Sequence, residues 1–441
     1  MTPSTNDTAT ATHTATTRTL ASRGAANLAA SARDLAALAC ALLTAMALAM
    51  TTPAQDLAVR GDVVHTLAGE AIEDGVVIIR GGLITAVGPA TSTPVPAGME
   101  SLSAPVVVPG FIDAHTTVGL TGWTNQDEDQ DQFDGSDPLQ PELRAFDSYN
   151  ARDPLVAWLA SLGVTTVHTG HAPGAVITGQ TFIAKTRPGT VDDAVVVAEA
   201  MVCATLGDQA NAPGKKAPGT RSKAAAMLRQ SLLEARAYAD GMAAEDAAER
   251  PDRDLRKETL ARVLSGELPL LVTAQKHHDI STALRLAEEF GFRLVLDGAA
   301  EGHQLLPQIA EAGVPVLPHP MMVRAWDSTA PFANASFELP RLLLENGIPM
   351  AQQSGFEDYV PKVRVLPLEA AIAGRWGLSW EDNLASITRE AAKILGVDDR
   401  IGTLEVGKHG DVALFDGDPF EYTTHCLGTV IEGVVVSDEV R

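Results

Sequence analysis

Apolar residues at the two ends of the chain come in short β-branched runs parted by glycine. Val76-Val77-Ile78-Ile79, the pair Gly81-Gly82 and then Leu83-Ile84-Thr85-Ala86-Val87 predict a β-hairpin. The style returns near the C-terminus, where Val412-Ala413-Leu414-Phe415 precedes the turn Asp416-Gly417-Asp418-Pro419 and the runs Thr429–Ile431 and Val434–Val436. The middle differs. Strand-like runs lie at Val106–Val108, Val164–Val167, Leu270–Val272, Leu294–Leu296, Val314–Leu317 and Ile348–Ala351. Between them, helical spacing predicts helices over 153–161, 221–249, 279–290, 302–312, 338–345 and 380–395, the third closed by Gly291. Repeated βα units with short links imply a parallel sheet covered by helices, and about 290 residues is the size of a (β/α)8 barrel. A doubly wound sheet is the alternative. Its usual nucleotide loops, Gly-x-Gly-x-x-Gly or Walker type, do not follow the first strand. The predicted architecture is α/β: a (β/α)8 TIM barrel over 106–395, with a composite β-sandwich from 55–105 and 396–441.

Residues 1–54 read differently. A Thr/Ala/Ser-rich leader (1–34) precedes a continuously apolar run, LAALACALLTAMALAM (35–50), and the small residues Thr51-Thr52-Pro53-Ala54. The run is short of the about 20 residues of a full span, which suits a signal peptide and a periplasmic or secreted protein. An uncleaved membrane anchor is the alternative, and either way the membrane is met only through this segment. A net charge of −23 argues against nucleic acid, whose phosphates need clustered Lys and Arg. Three cysteines, Cys40, Cys203 and Cys426, make neither a disulfide framework nor a Cys-rich zinc site.

Four segments point to a family. Val108-Pro109-Gly110-Phe111-Ile112-Asp113-Ala114-His115 resembles the first barrel strand of the amidohydrolase superfamily, in its imidazolonepropionase-like and prolidase-like branch. Ile401–Phe415 resembles that family's C-terminal signature, and Asp137–Arg144 and Ala283–Phe290 are similar to the same branch. The resemblance is colinear over roughly 57–436 and implies metal-dependent hydrolysis of C–N bonds in amides or small peptides. There the metal lowers the pKa of bound water from 15.7 towards about 7, held by ligands at the C-terminal ends of the barrel strands.

Carried over residue by residue, the resemblance leaves most of those ligands missing. The expected His-x-His is His115-Thr116-Thr117; Thr273 and Gln275 stand where histidines would be; Gly298, or Asp297 under a one-residue shift, takes the next histidine position; and Ser354 takes that of the Asp that binds metal and accepts the water's proton. Cys203 matches the bridging Lys of some relatives, with Lys185 a weaker candidate. A hydroxyl is a poor zinc ligand beside imidazole, and an un-ionised serine cannot act as the base. One reading is impaired catalysis, no metal cofactor at the classical site, and survival as a binding or scaffolding paralogue. The other is a relocated mononuclear zinc site built from His115, His171, His277 and His319, with His278 beside them, which follow successive strands towards one mouth. The bland alternative is that these are solvated loop histidines. A small molecule or peptide in the barrel mouth is the expected partner.

Lesser features have structural readings. The acidic run Asp127-Glu128-Asp129-Gln130-Asp131 through Asp134 and Asp137 lacks EF-hand spacing and reads as a solvated lid. Trp123, Trp326 and Tyr359 line a pocket or pack ordinarily, His303 is structural, Lys215-Lys216 with Arg221 and Lys223 form a solvated basic patch, and Gly179-Gln180-Thr181 suggests a tight turn.

Overall fold

The computed structural model describes residues 56–124, 126–210, 217–321, 334–356 and 366–441. The leader and apolar run of 1–54, Lys215, Lys216, Trp326 and Tyr359 lie outside the described residues. In chain order the strands are β1 (Leu57–Val64), β2 (Ile72–Arg80), β3 (Leu83–Pro89), β4 (Glu100–Pro109), β5 (Phe111–Thr116), β6 (Val164–Thr169), β7 (Ile177–Gln180), β8 (Phe182–Lys185), β9 (Val195–Val197), β10 (Val202–Thr205), β11 (Leu270–Ala274), β12 (Leu294–Gly298), β13 (Val316–Pro318), β14 (Val412–Phe415), β15 (Cys426–Ile431) and β16 (Val434–Ser437).

Both chain ends join one sheet, ordered β16-β15-β14-β4-β1-β2-β3. Gly81 and Gly82 carry the positive φ values, 57° and 84°, that the tight β2–β3 turn requires and that a side chain would resist. β4 is the hub, parallel to β1 and antiparallel to β14. Two expectations are corrected here. The sandwich is hydrogen-bonded as one continuous seven-stranded ladder. Val106–Val108, expected to open the central unit, pair with Phe415–Ala413 in this end sheet.

The central strands form two open sheets, β5-β6-β8-β9 and β13-β12-β11-β10-β7. β5–β6 and the run β10–β11–β12–β13 are parallel, whereas β8 runs antiparallel to β6 and β7 antiparallel to β10. A closed (β/α)8 barrel is therefore not shown; the fold is a mixed α/β arrangement whose sheets are open. The reason lies partly at Thr181, the single residue between β7 and β8, where one passage of chain leaves one ladder and joins the other. It lies partly at 348–355, whose first four residues, Ile348–Ala351, are expected as a strand; the segment makes only isolated bridges, Val316↔Met350 on one side and Thr116↔Gly355 on the other. Strands of both open sheets nevertheless contribute to one apolar layer of Ile112, Ala114, Cys203, Leu271, Val295, Leu317 and Ala351.

The helices largely follow the sequence pattern: α1 (Pro154–Ala160), α2 (Val191–Ala194), α3 (Arg221–Met242), α4 (Leu255–Leu264), α5 (His277–Phe290), α6 (Leu306–Ala312), α7 (Leu339–Glu345), α8 (Leu366–Arg375), α9 (Trp380–Ser386) and α10 (Arg389–Leu395). Thr220 and Asp254 cap α3 and α4 through their side chains, and Gly291 ends α5 at φ 76°. The continuous helix expected over 380–395 is broken at Thr388, whose φ and ψ of −141° and −94° are not helical. Among the described residues no helix is long and apolar enough to cross a membrane.

Candidate functional site

The register of β11 on β12 sets Thr273 opposite Asp297 and Ala274 opposite Gly298. Two residues further along their strands than Leu271 and Val295, Thr273 and Asp297 share those residues' face and sit one rung above the apolar layer. His115, at the end of β5, reaches this rung: its Nδ1 lies 3.1 Å from Asp297 Oδ1. Thr273 Oγ1 donates to Asp297 Oδ2 at 2.6 Å, and Gln353 Nε2 donates to Asp297 Oδ1 at 2.7 Å and to the Leu317 carbonyl at 2.9 Å. All four side chains are buried.

This arrangement fixes charge. Burial alone would lower the pKa of His115, but the charge and hydrogen bond of Asp297, with a smaller contribution from Cys203, raise it to about 10. Burial alone would raise that of Asp297, but His115, Thr273 and Gln353 hold it below the ordinary carboxylate value. The pair is a buried imidazolium–carboxylate. Two further buried groups beside it are shifted towards their neutral forms. His168 on β6, bonded through Nδ1 to the Ala114 carbonyl (2.7 Å) and through Nε2 to Thr181 Oγ1 (2.6 Å), lies 5.7 Å ring to ring from His115. Burial and then the His115 charge push its pKa down to about 3. Burial raises Asp113 to about 6, against the bonds its Oδ1 accepts from the Ser354 and His115 amides at 2.9 and 3.4 Å.

The other expected positions make hydrogen bonds or packing contacts within the chain. Thr117 Oγ1 accepts from Thr121 Oγ1 at 3.1 Å, and Ser354 Oγ donates to Thr116 Oγ1 at 3.0 Å. Gln275 lies across Gly298, where a Cβ would fall 2.2 Å from Gln275 Nε2; its Oε1 accepts from the Ala300 amide and its Nε2 donates to Gln209. Cys203 belongs to the apolar layer. Lys185 is in a buried ion pair with Asp411, which ties β8 to the end sheet. Gly179 and Gln180 belong to β7 rather than to a tight turn.

The four histidines of the relocated-site reading have separate surroundings. His171 is buried against Gly179 with both ring nitrogens lacking a hydrogen-bond partner, and burial lowers its pKa to about 4. His277, the first residue of α5, is half exposed and bonds Glu301; His278 next to it approaches Asp279 at 3.7 Å. The His319 amide donates to the Gly298 carbonyl at 2.6 Å. Among the described residues no group of three or more His, Cys, Asp or Glu side chains is placed to hold a metal ion. Around His115, the side chains of Asp297, Thr273, Gln353 and His168 are bonded to one another, to Thr181 or to the backbone and do not converge on a common centre. No step through a metal follows from these residues.

Sequence reasoning missed His168, Gln353 and Glu301. A histidine inside the apolar run of β6 was a legible clue, because a buried imidazole needs partners. Gln353 and Glu301 gave none, since their roles depend on which loops meet.

A family model described as the amidohydrolase family matches residues 366–437. The chain is 23% identical over 397 residues to amidohydrolase tasK of Hapsidospora irregularis, covering 83% of this chain and 40% of that protein, so it spans well under half of that relative's length. It is 24% identical over 380 residues to an imidazolonepropionase of Mesorhizobium japonicum, covering 78% and 87% of the two chains. Among solved structures, an amidohydrolase from Thermotoga maritima superposes with a TM-score of 0.80 at 26% identity, over 87% of this chain and all of that one. A prolidase complexed with N-methylphosphonate-L-proline superposes at 0.57 with 16% identity, over 87% of this chain and all of the other, which bears on the fold alone.

Proposed function

We propose that this chain, which belongs to the amidohydrolase superfamily and is a hydrolase by ancestry, has given up the metal-dependent step and keeps its mouth as a binding site for a small amide or short peptide. The reading rests on the His115–Asp297 pair. In a metal hydrolase the cation supplies positive charge to the carboxylate at the centre and ionises water. Here His115 Nδ1 is bonded to the Asp297 carboxylate, which favours the protonated imidazole and so supplies the positive charge from a side chain. What remains at the other expected positions, Thr117, Thr273, Gln275, Gly298 and Ser354, is tied into hydrogen bonds or has no donor.

In this reading the two open central sheets are the two arcs of a (β/α)8 barrel, bridged by 348–355, and the C-terminal ends of β10 to β13 surround the mouth. His115, Thr273, Asp297 and Gln353 form its floor. They hold a fixed charge arrangement and keep water out, while the loops after β11 to β13 meet the ligand. Export, with residues 1–54 as signal or anchor, completes the proposal and places this binding site outside the cytoplasm.

The test is elemental analysis of protein purified from zinc-supplemented medium, with His115→Ala and His319→Ala beside it. Zinc far below one equivalent per chain is expected in all three. Stoichiometric zinc in the wild type that is lost in either variant overturns the proposal in favour of a relocated site.

A further inference from the structure

The end of the central unit away from the mouth is hollowed. At or just before the first residues of β11, β12, β13 and the 348–355 segment, Pro269, Leu294, Pro315 and Pro349 border a groove of about 1110 Å³. Three helices wall it: α5 through Arg285 and Glu288, the C-terminal end of α6 through Glu311 and Ala312, and α10 through Glu390 and Lys393. The floor is apolar, with Phe292, Leu294, Val295 and Val314 all buried. The rim of Glu311, Ala312 and Gly313 is exposed. It is also thin, because α6 stops there on Gly313 at φ 63°, a residue with no side chain.

Charge pairing in this groove is incomplete. On α10, Glu390 bonds Lys393, three residues on, at 3.0 Å. Arg285 and Glu288 on α5 have the same spacing, at which opposite charges ordinarily meet. Arg285 turns aside and donates to Thr282 Oγ1 at 2.8 Å. Arg293 donates to the Gly266 carbonyl at 3.2 Å. Among the described residues none of Arg285, Glu288, Arg293 and Glu311 is in an ion pair, and all four are exposed. The wall thus leaves two arginines and two glutamates free beside an apolar floor. In a two-fold interface the same patch meets itself, so free charges of both signs in equal number can all be answered across it.

We infer that this groove is a dimer interface, seated on a second copy of this chain. The thin rim at the end of α6 of each copy enters the groove of the other over the apolar floor. Glu288 and Glu311 of each copy face Arg285 and Arg293 of the other. The mouths, at the opposite ends of the strands, stay open, so the dimer is independent of what the mouth binds.

The experiment is analytical ultracentrifugation of the full chain from about 0.1 to 100 µM, a span over which interfaces of standard area hold or fail. Wild type should form a species of twice 46.2 kDa. Arg285→Glu/Arg293→Glu makes these four positions all acidic, and Glu288→Arg/Glu311→Arg makes them all basic. Facing like charges cost several kcal/mol, so the Kd of each double variant alone should rise at least about a hundredfold. Mixed in equal amounts, the two variants should pair with each other at least as well as wild type, because every charge is again answered. If a reversed chain fails to fold, as judged by its thermal midpoint, Arg285→Gln/Arg293→Gln decides by the same readout, with Kd raised about tenfold. A wild type that stays monomeric throughout overturns the inference and leaves the groove to a small amphipathic ligand or a different protein. Dimers that persist unchanged in both double variants, or that fail to form in the mixture, overturn it as well.

Discussion

Replacing Asp297 with Asn keeps the shape of the buried centre, and its Oδ1 can still accept from His115 Nδ1 and Gln353 Nε2. Only the charge goes. The folded chain holds the His115 proton up to about pH 10, whereas an unfolded histidine releases it near 6.5. Each pH unit in that interval is worth about 1.4 kcal/mol, so the pair contributes at most about 5 kcal/mol. Because the folded pKa is the raised one, this stability is fully present below pH 6.5 and is lost as pH rises towards 10. The lowered pKa of Asp297 reports the same interaction and is not counted again. Losing one partner of a buried ion pair typically costs about 3–5 kcal/mol, which agrees. In Asp297→Asn, burial acts on His115 unopposed and keeps it neutral, so the pH dependence should vanish with the charge. Urea unfolding measured from pH 6.5 to 9 should show wild-type stability falling by about 3 kcal/mol more than that of the variant. Parallel curves for the two proteins would refute the assignment of an imidazolium–carboxylate pair.

Two other substitutions test the surrounding charge design. Asp113 is raised to about 6 from 3.8, chiefly by burial, so ionising it in the folded state costs stability as pH rises through that interval; Asp113→Asn should gain on wild type by up to about 3 kcal/mol between pH 4 and 7 in the same unfolding assay, and a pH-independent difference would contradict this. Lys185→Met strands the buried Asp411 carboxylate at the junction of β8 and the end sheet; a loss of about 3–5 kcal/mol is expected, recovered in large part by the double variant Lys185→Met/Asp411→Leu, and equal stability of single and double variants would deny the pairing its role.

Much of the fold was legible because local patterns do not depend on distant partners. The Gly81-Gly82 hairpin, the Gly291 stop of α5 and the β-rich character of both ends follow from backbone preferences that act within a few residues. The barrel was legible only as a size and a βα rhythm. Period alone does not give strand direction, and β7 and β8 run against their neighbours for reasons of loop path around 170–181. Val106–Val108 were assigned to the wrong sheet because a buried apolar run reads the same whichever sheet it joins.

The sequence by itself determined the β-rich ends, the α/β middle and the residue types that stand at the positions the family resemblance singles out, because residue types at fixed offsets along a strand are local facts. Only the tertiary structure decided what they meet. Asp297 meets His115 across 182 positions of chain, Gln353 closes over both from another 56 positions on, and Glu301 orients His277 from the next loop. Charge state follows burial and the nearest partner, and both are properties of the folded neighbourhood rather than of the residue.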